Sequence, residues 1–170
     1  MREFLKSFFS FGVATSIEKI LAFILLPIYT RLITTTEYGM IDLCRVLMGI
    51  VSVFALLQLE TSLQRYYYKW EGDDKKIFLF SILITVISLS FFFSIIICLL
   101  SYYISSLLFS SSAYYLLVIL SAIQLPFINF SMLGLIILRY EKKNLLFTYQ
   151  VILKVVLLLL SVFVFVVFMD

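Results

Sequence analysis

The sequence predicts an all-α membrane protein: a polytopic bundle of about five transmembrane helices with a cytoplasmic N-terminus. Three observations carry this. Of the 170 residues, 64% are hydrophobic and only 14% are charged. The mean hydropathy is +1.14. The apolar residues gather into five long stretches separated by short polar turns. A soluble domain keeps roughly a quarter of its residues charged to face water. This chain has too few charges to cover a globule, so lipid must cover much of it. Only 5 glycines and 2 prolines are present, which excludes disordered, collagen-like and low-complexity classes.

A spanning helix needs ~20 mostly apolar residues to cross a hydrocarbon core ~30 Å thick. The first candidate covers residues 8–28. Arg2 and Lys6 precede it, as in a signal peptide, but no small-x-small cleavage site follows and Pro27 leads into a further span, so a retained helix is expected. The second candidate covers 41–59. In the turn before it, Thr34 and Glu37 have capping-box spacing, with Thr34 as N-cap, so the helix should start sharply there. The remaining candidates cover 77–103, 114–138 and 145–168. Each exceeds the minimum length, which permits tilt without fixing an angle. The whole of 1–170 reads as a single transmembrane region.

Lysine and arginine set the orientation. With the N-terminus inside, Arg2, Lys6, Arg65, Lys69, Lys75, Lys76, Arg139, Lys142 and Lys143 fall on the cytoplasmic side, against Arg31 alone in the outer loops. The aromatics agree: Tyr102, Tyr103, Tyr114 and Tyr115 bracket an outer Ser-rich turn, and Tyr66, Tyr67, Tyr68 and Trp70 belong at the inner interface.

Ionisable groups inside spans are costly, and each is therefore a functional candidate. Glu18 and Lys19 lie near the middle of the first span, where Gly12, Thr15, Ser16, Lys19 and Ala22 form a small-and-polar stripe. Asp42, Arg45, Gly49 and Ser52 form another on the second span, and Asp42 and Arg45 are spaced to pair. The fourth span carries Ser121, Gln124 and Asn129 around Pro126, whose missing N–H should kink it. The fifth presents Gln150, Lys154 and Ser161 on one face. The third has hydroxyls such as Ser81, Thr85 and Ser88 but no charge, and reads as the most lipid-exposed. In one reading the charges lock helix packing. In the other, which three cations on three helices favour, Lys19, Arg45 and Lys154 line a wet cavity for an anionic headgroup.

Chemistry elsewhere is sparse. There is no histidine, hence no common metal ligand or general base. Cys44 and Cys98 lie in apolar runs and read as small buried residues rather than a disulfide. Residues 71–76 (EGDDKK) read as a solvated turn, and Asp73 and Asp74 lack the partners of a metal site. No phosphate-cradling loop or nucleophile elbow occurs, so an enzyme, a bound cofactor and a metal are not expected. A net charge of +3 is not strongly basic, and no nucleic acid is expected as a partner.

The first 70 residues resemble the N-terminal part of bacterial polysaccharide flippases of the multidrug/oligosaccharidyl-lipid/polysaccharide exporter superfamily. The run Leu26-Pro27-Ile28-Tyr29-Thr30-Arg31, then Glu37-Tyr38-Gly39 and Ile41-Asp42-Leu43, carries the likeness. Lys19, and Arg65 followed by aromatics, fit the same pattern, and Leu138-Arg139-Tyr140-Glu141-Lys142 is similar to the family's inner turn after the fourth helix. Thr35 stands where the family typically has proline. The resemblance implies a transporter that flips a lipid-linked (undecaprenyl-pyrophosphate) oligosaccharide across the bacterial cytoplasmic membrane, for polysaccharide or O-antigen export, by the rocking of two helical lobes. On that basis Lys19, Arg45 and Lys154 attract the pyrophosphate, Arg31 sits near the outer mouth, and Gln124 and Asn129 line the cavity. Glu18 and Asp42 are candidates for ion coupling. Membrane lipid and the polysaccharide polymerase and glycosyltransferase machinery are the implied partners. The family has about twelve to fourteen spans, so five amount to an incomplete first lobe, and a monomer of this chain is not expected to transport by itself. Alternatives are another exporter of the superfamily, for drugs or a lipid-linked peptidoglycan precursor, or a non-transporting membrane subunit or truncated product.

Overall fold

The computed structural model describes residues 33–169 together with Ser16, Lys19, Ile20, Phe23 and Pro27, with side chains described to residue 160 except Leu158. Those five early residues are helical. The expected first span otherwise lies outside the described residues, as do Glu18 and Arg31. The helices that follow are α1 (Thr35–Leu56), α2 (Leu59–Tyr66), α3 (Gly72–Phe109), a 3-10 turn (Ser112–Tyr114), α4 (Tyr115–Tyr140) and α5 (Asn144–Met169). No strand occurs among the described residues. Three helical segments, Thr35–Leu56, Gly72–Phe109 and Ser112–Tyr140, are long and apolar enough to cross a membrane, and α5 is apolar over Asn144–Leu157. The chain is thus a polytopic membrane helix bundle.

Local chemistry explains where the helices begin and end. The capping box forms in full. The Thr34 N–H and Oγ1 donate to Glu37 Oε2 at 2.9 and 2.7 Å, and the Glu37 N–H donates back to Thr34 Oγ1 at 3.3 Å. These bonds satisfy donors that a helix start leaves open. α1 stops at Leu56, before the expected end at residue 59, because Leu57 and Gln58 adopt left-handed φ of 46° and 58°. α3 runs further than expected at both ends. Residues 71–76, expected as a turn, instead supply its first turn, where Asp73 and Asp74 suit the positive end of the helix dipole and Lys76 pairs with Asp73 at 2.7 Å. At 38 residues, α3 is ~57 Å long, well beyond the hydrocarbon thickness. α4 ends in a Schellman motif, with Lys142 at φ 56°, its N–H bonded to Arg139 O, and the Lys143 N–H bonded to Leu138 O at 3.0 Å.

The chain divides into two compact units, Gly39–Ile136 and Met1–Tyr38 with Ile137–Asp170. In the first, a core of Cys44 and Met48 from α1, Ile97 from α3, and Val118 and Ala122 from α4 joins three helices. Cys44 and Cys98 are free thiols at this core. α3 buries Ile82, Val86, Ser90, Ser94, Ile97, Ser101 and Ser105, a stripe spaced three or four residues apart. Its outward face carries Phe91, Phe92, Leu99 and Leu107. Small hydroxyl residues inside and large apolar residues outside are the membrane arrangement. Lipid solvates the large side chains, and small ones let backbones approach closely. The expectation for the third span is corrected accordingly: Ser81, Thr85 and Ser88 do face outward, but a continuous opposite stripe is buried. In the second unit, α5 buries Phe147 and Val151, one turn apart on the same face.

Candidate functional site

Two polar arrangements lie within the spans of the Gly39–Ile136 unit. The first is open. Arg45 Nη1 meets Asp42 Oδ1 at 3.2 Å, and their side chains are 71% and 56% exposed. The two sit roughly 10–15 Å along the axis from the start of α1, at 1.5 Å per residue. Gly49 lies on the same face, and a Cβ placed there would meet no described atom within 4 Å. A charged pair at that depth is not stable against hydrocarbon. Groups of this kind face protein or a water-filled cavity.

The second arrangement is closed. Asn129 on α4 is fully buried; its Oδ1 accepts from Ser52 Oγ of α1 at 2.6 Å, and its Nδ2 donates to Ser90 Oγ of α3 at 2.9 Å. One amide thereby ties three helices. A turn earlier, Pro126 continues α4 without the N–H that would bond Ala122 O. Ser94 Oγ, reaching from α3, donates to that carbonyl at 2.7 Å. The proline frees an acceptor and the neighbouring helix satisfies it, so α4 runs on uninterrupted through residue 140. The Ser121 hydroxyl donates to Leu117 O at 2.8 Å.

The expected site residues are distributed as follows. Asp42 and Arg45 pair, as their spacing predicted. Gly49 stays with them on the open face, but Ser52, assigned to the same stripe, turns to Asn129. Gln124 is exposed while Asn129 is buried, five residues and about 140° apart around the helix. Lys19 is helical and exposed. Lys154 and the half-buried Gln150 lie on α5, in the other unit; Lys154 is exposed. The side chain of Ser161, like Glu18 and Arg31, is outside the described residues. No group of three or more metal-ligating side chains occurs among the described residues. Ser90 and Ser94 are not among the residues that hydropathy and charge point to. The signal was present in the four-residue serine spacing of α3 and in the carbonyl that Pro126 must leave open.

The interfacial aromatics divide. Tyr68, Trp70, Tyr102, Tyr103, Tyr114 and Tyr115 are exposed, but Tyr67, expected at the interface, is only 1% exposed. It lies one turn beyond the fully buried Leu63, on the inward face of α2 and its extension. Lys75 Nζ lies 3.8 Å from its ring centroid.

The fold and its polar face define a polytopic helical membrane protein with an ion pair on an exposed helix face. The family comparison agrees with the fold: a model of the polysaccharide biosynthesis protein family matches residues 4–170, nearly the whole chain. The chain belongs to that family. No curated protein and no solved structure matches it.

Proposed function

We propose that this chain forms part of a flippase that carries a lipid-linked oligosaccharide, of the undecaprenyl-pyrophosphate type, across the bacterial cytoplasmic membrane for polysaccharide or O-antigen export. The observation that supports it most is the exposed Asp42–Arg45 pair on α1. A pyrophosphate headgroup is anionic and strongly hydrated, and crossing requires cations and polar groups to replace its water. Arg45 offers a planar fork that can hold two phosphate oxygens at once, and Asp42 holds that fork in place until cargo displaces it. Lys19 and Lys154 are further cations that attract the headgroup in this reading, and the lipid tail stays in the bilayer throughout. Membership of a polysaccharide biosynthesis family supports this cargo over a drug or a peptidoglycan precursor. The role is transport rather than catalysis, and the polymerase and glycosyltransferases of the pathway are its partners.

The test is export in cells that depend on this protein. Charge-assisted hydrogen bonds of this kind contribute about 1.5–3 kcal/mol, so Arg45→Ala and Lys19→Ala should each lower surface polysaccharide about tenfold or more at unchanged membrane abundance. Undiminished export in Arg45→Ala would remove Arg45, and the pair with it, from the mechanism.

A further inference from the structure

The elbow between α1 and α3 carries a cluster of cations outside the proposed cargo site. Arg65 Cζ lies 5.5 Å from the centroid of the Tyr66 ring, and Lys69 Nζ lies 5.3 Å from the same centroid and 5.5 Å from that of Trp70. Both cations are exposed. Among the described residues neither has a carboxylate within ion-pair distance, although Glu60, Glu71, Asp73 and Asp74 are all close in sequence. Lys76, a few residues on, is by contrast neutralised by Asp73 at 2.7 Å. Two like charges gathered at one ring repel each other, and the ring quadrupole offsets only part of that. The missing component is an anion.

We propose that Arg65 and Lys69, gathered at the Tyr66 ring beside Trp70, bind the phosphate of an anionic phospholipid headgroup. The guanidinium can take two phosphate oxygens in its fork, and the ammonium serves as a second point charge. Trp70 is 39% exposed and Tyr68 66% exposed, which suits rings lying at headgroup level. The buried Leu63 and Tyr67 anchor the opposite face of the elbow, so the cations point away from the protein core. The cluster adjoins spanning helices and is floored by interfacial aromatics, which favours a lipid over a soluble phosphate compound. The site stands independently of the transported cargo.

Trp70 is the chain's one tryptophan and lies at the site. The full chain, reconstituted in vesicles of mixed phosphatidylglycerol and phosphatidylcholine, is compared with one or the other lipid brominated, and quenching of Trp70 fluorescence is read. A basic residue near an anionic surface is worth about fivefold in local lipid enrichment. Brominated phosphatidylglycerol should therefore quench several-fold more effectively than brominated phosphatidylcholine at equal mole fraction. That preference should fall about fivefold in each of Arg65→Gln and Lys69→Gln, and should survive Lys76→Gln. Equal quenching by the two lipids in the unaltered chain would overturn the proposal. So would an equal loss in Lys76→Gln, which would reduce the effect to general surface charge. Preference that persists in excess inorganic phosphate supports a lipid ligand, whereas its abolition by inorganic phosphate would make this a site for a soluble anion and overturn the lipid assignment.

Discussion

At the scale of single residues, the most informative is Pro126. A proline inside a spanning helix suggests a kink, because it removes a donor and leaves the carbonyl four residues earlier open. Here the carbonyl of Ala122 is taken by the Ser94 hydroxyl at 2.7 Å. Intramembrane side-chain hydrogen bonds contribute about 0.6 kcal/mol on average and up to about 1.7. Ser94→Ala should accordingly destabilise the chain by about 1 kcal/mol in a reversible detergent-unfolding titration. In a Pro126→Ala background the restored N–H of residue 126 serves the same carbonyl, and the cost of Ser94→Ala should largely vanish. An undiminished cost would mean that Ser94 acts by packing alone. Asn129 belongs at this scale too. Expected to line a cavity, it is instead fully buried, and its hydrogen bonds to Ser52 and Ser90 make it a tie between three helices. Which hydroxyls an amide reaches depends on which helices are neighbours, and span hydropathy contains no such information.

At the scale of elements, the sequence was most legible where the determining chemistry is local. The Thr34–Glu37 capping box and the Asp42–Arg45 pair each join residues three apart, a spacing that a helix start or a helix face imposes. Thr34→Ala should lower stability by about 1 kcal/mol in the same titration, and Thr34→Ser should keep most of it. An Ala variant as stable as the parent would show that the cap contributes nothing in the membrane. The faces of α3 were less legible. In water a buried face is read from apolar contrast, but lipid is as apolar as leucine, so both faces of a spanning helix tolerate large hydrophobic residues. Ser90, Ser94, Ser101 and Ser105 on the buried face are small enough for close helix approach, and hydropathy does not mark them as buried. Tyr67 shows the converse: its position among interfacial tyrosines suggested exposure, and its register with Leu63 on α2 buries it.

At the scale of the molecule, Arg2, Lys6, Arg65, Lys69, Lys75, Lys76, Arg139, Lys142 and Lys143, most of the 13 lysines and arginines, lie in the segments 65–76 and 139–143 and before residue 7, which alternate with the outer turns along the chain. With the native cysteines replaced by serine, Ser112→Cys should react with a membrane-impermeant maleimide added to intact cells, and Lys75→Cys should react only after permeabilisation. The reverse pattern would invert the orientation. The two compact units each hold part of the polar inventory: Asp42, Arg45 and the Asn129 tie in one, Lys154 in the other. The membrane class, the helical fold and the capped start of α1 were determined by the sequence alone. They follow from composition, from run length against bilayer thickness, and from contacts within one helical turn. Tertiary structure alone decided that Ser94 serves the carbonyl Pro126 leaves open, and that Asn129 is enclosed while Gln124 is not. Each depends on which side chains fold and helix packing bring within a few ångströms of one another, and in a uniformly apolar solvent no sequence periodicity specifies that choice.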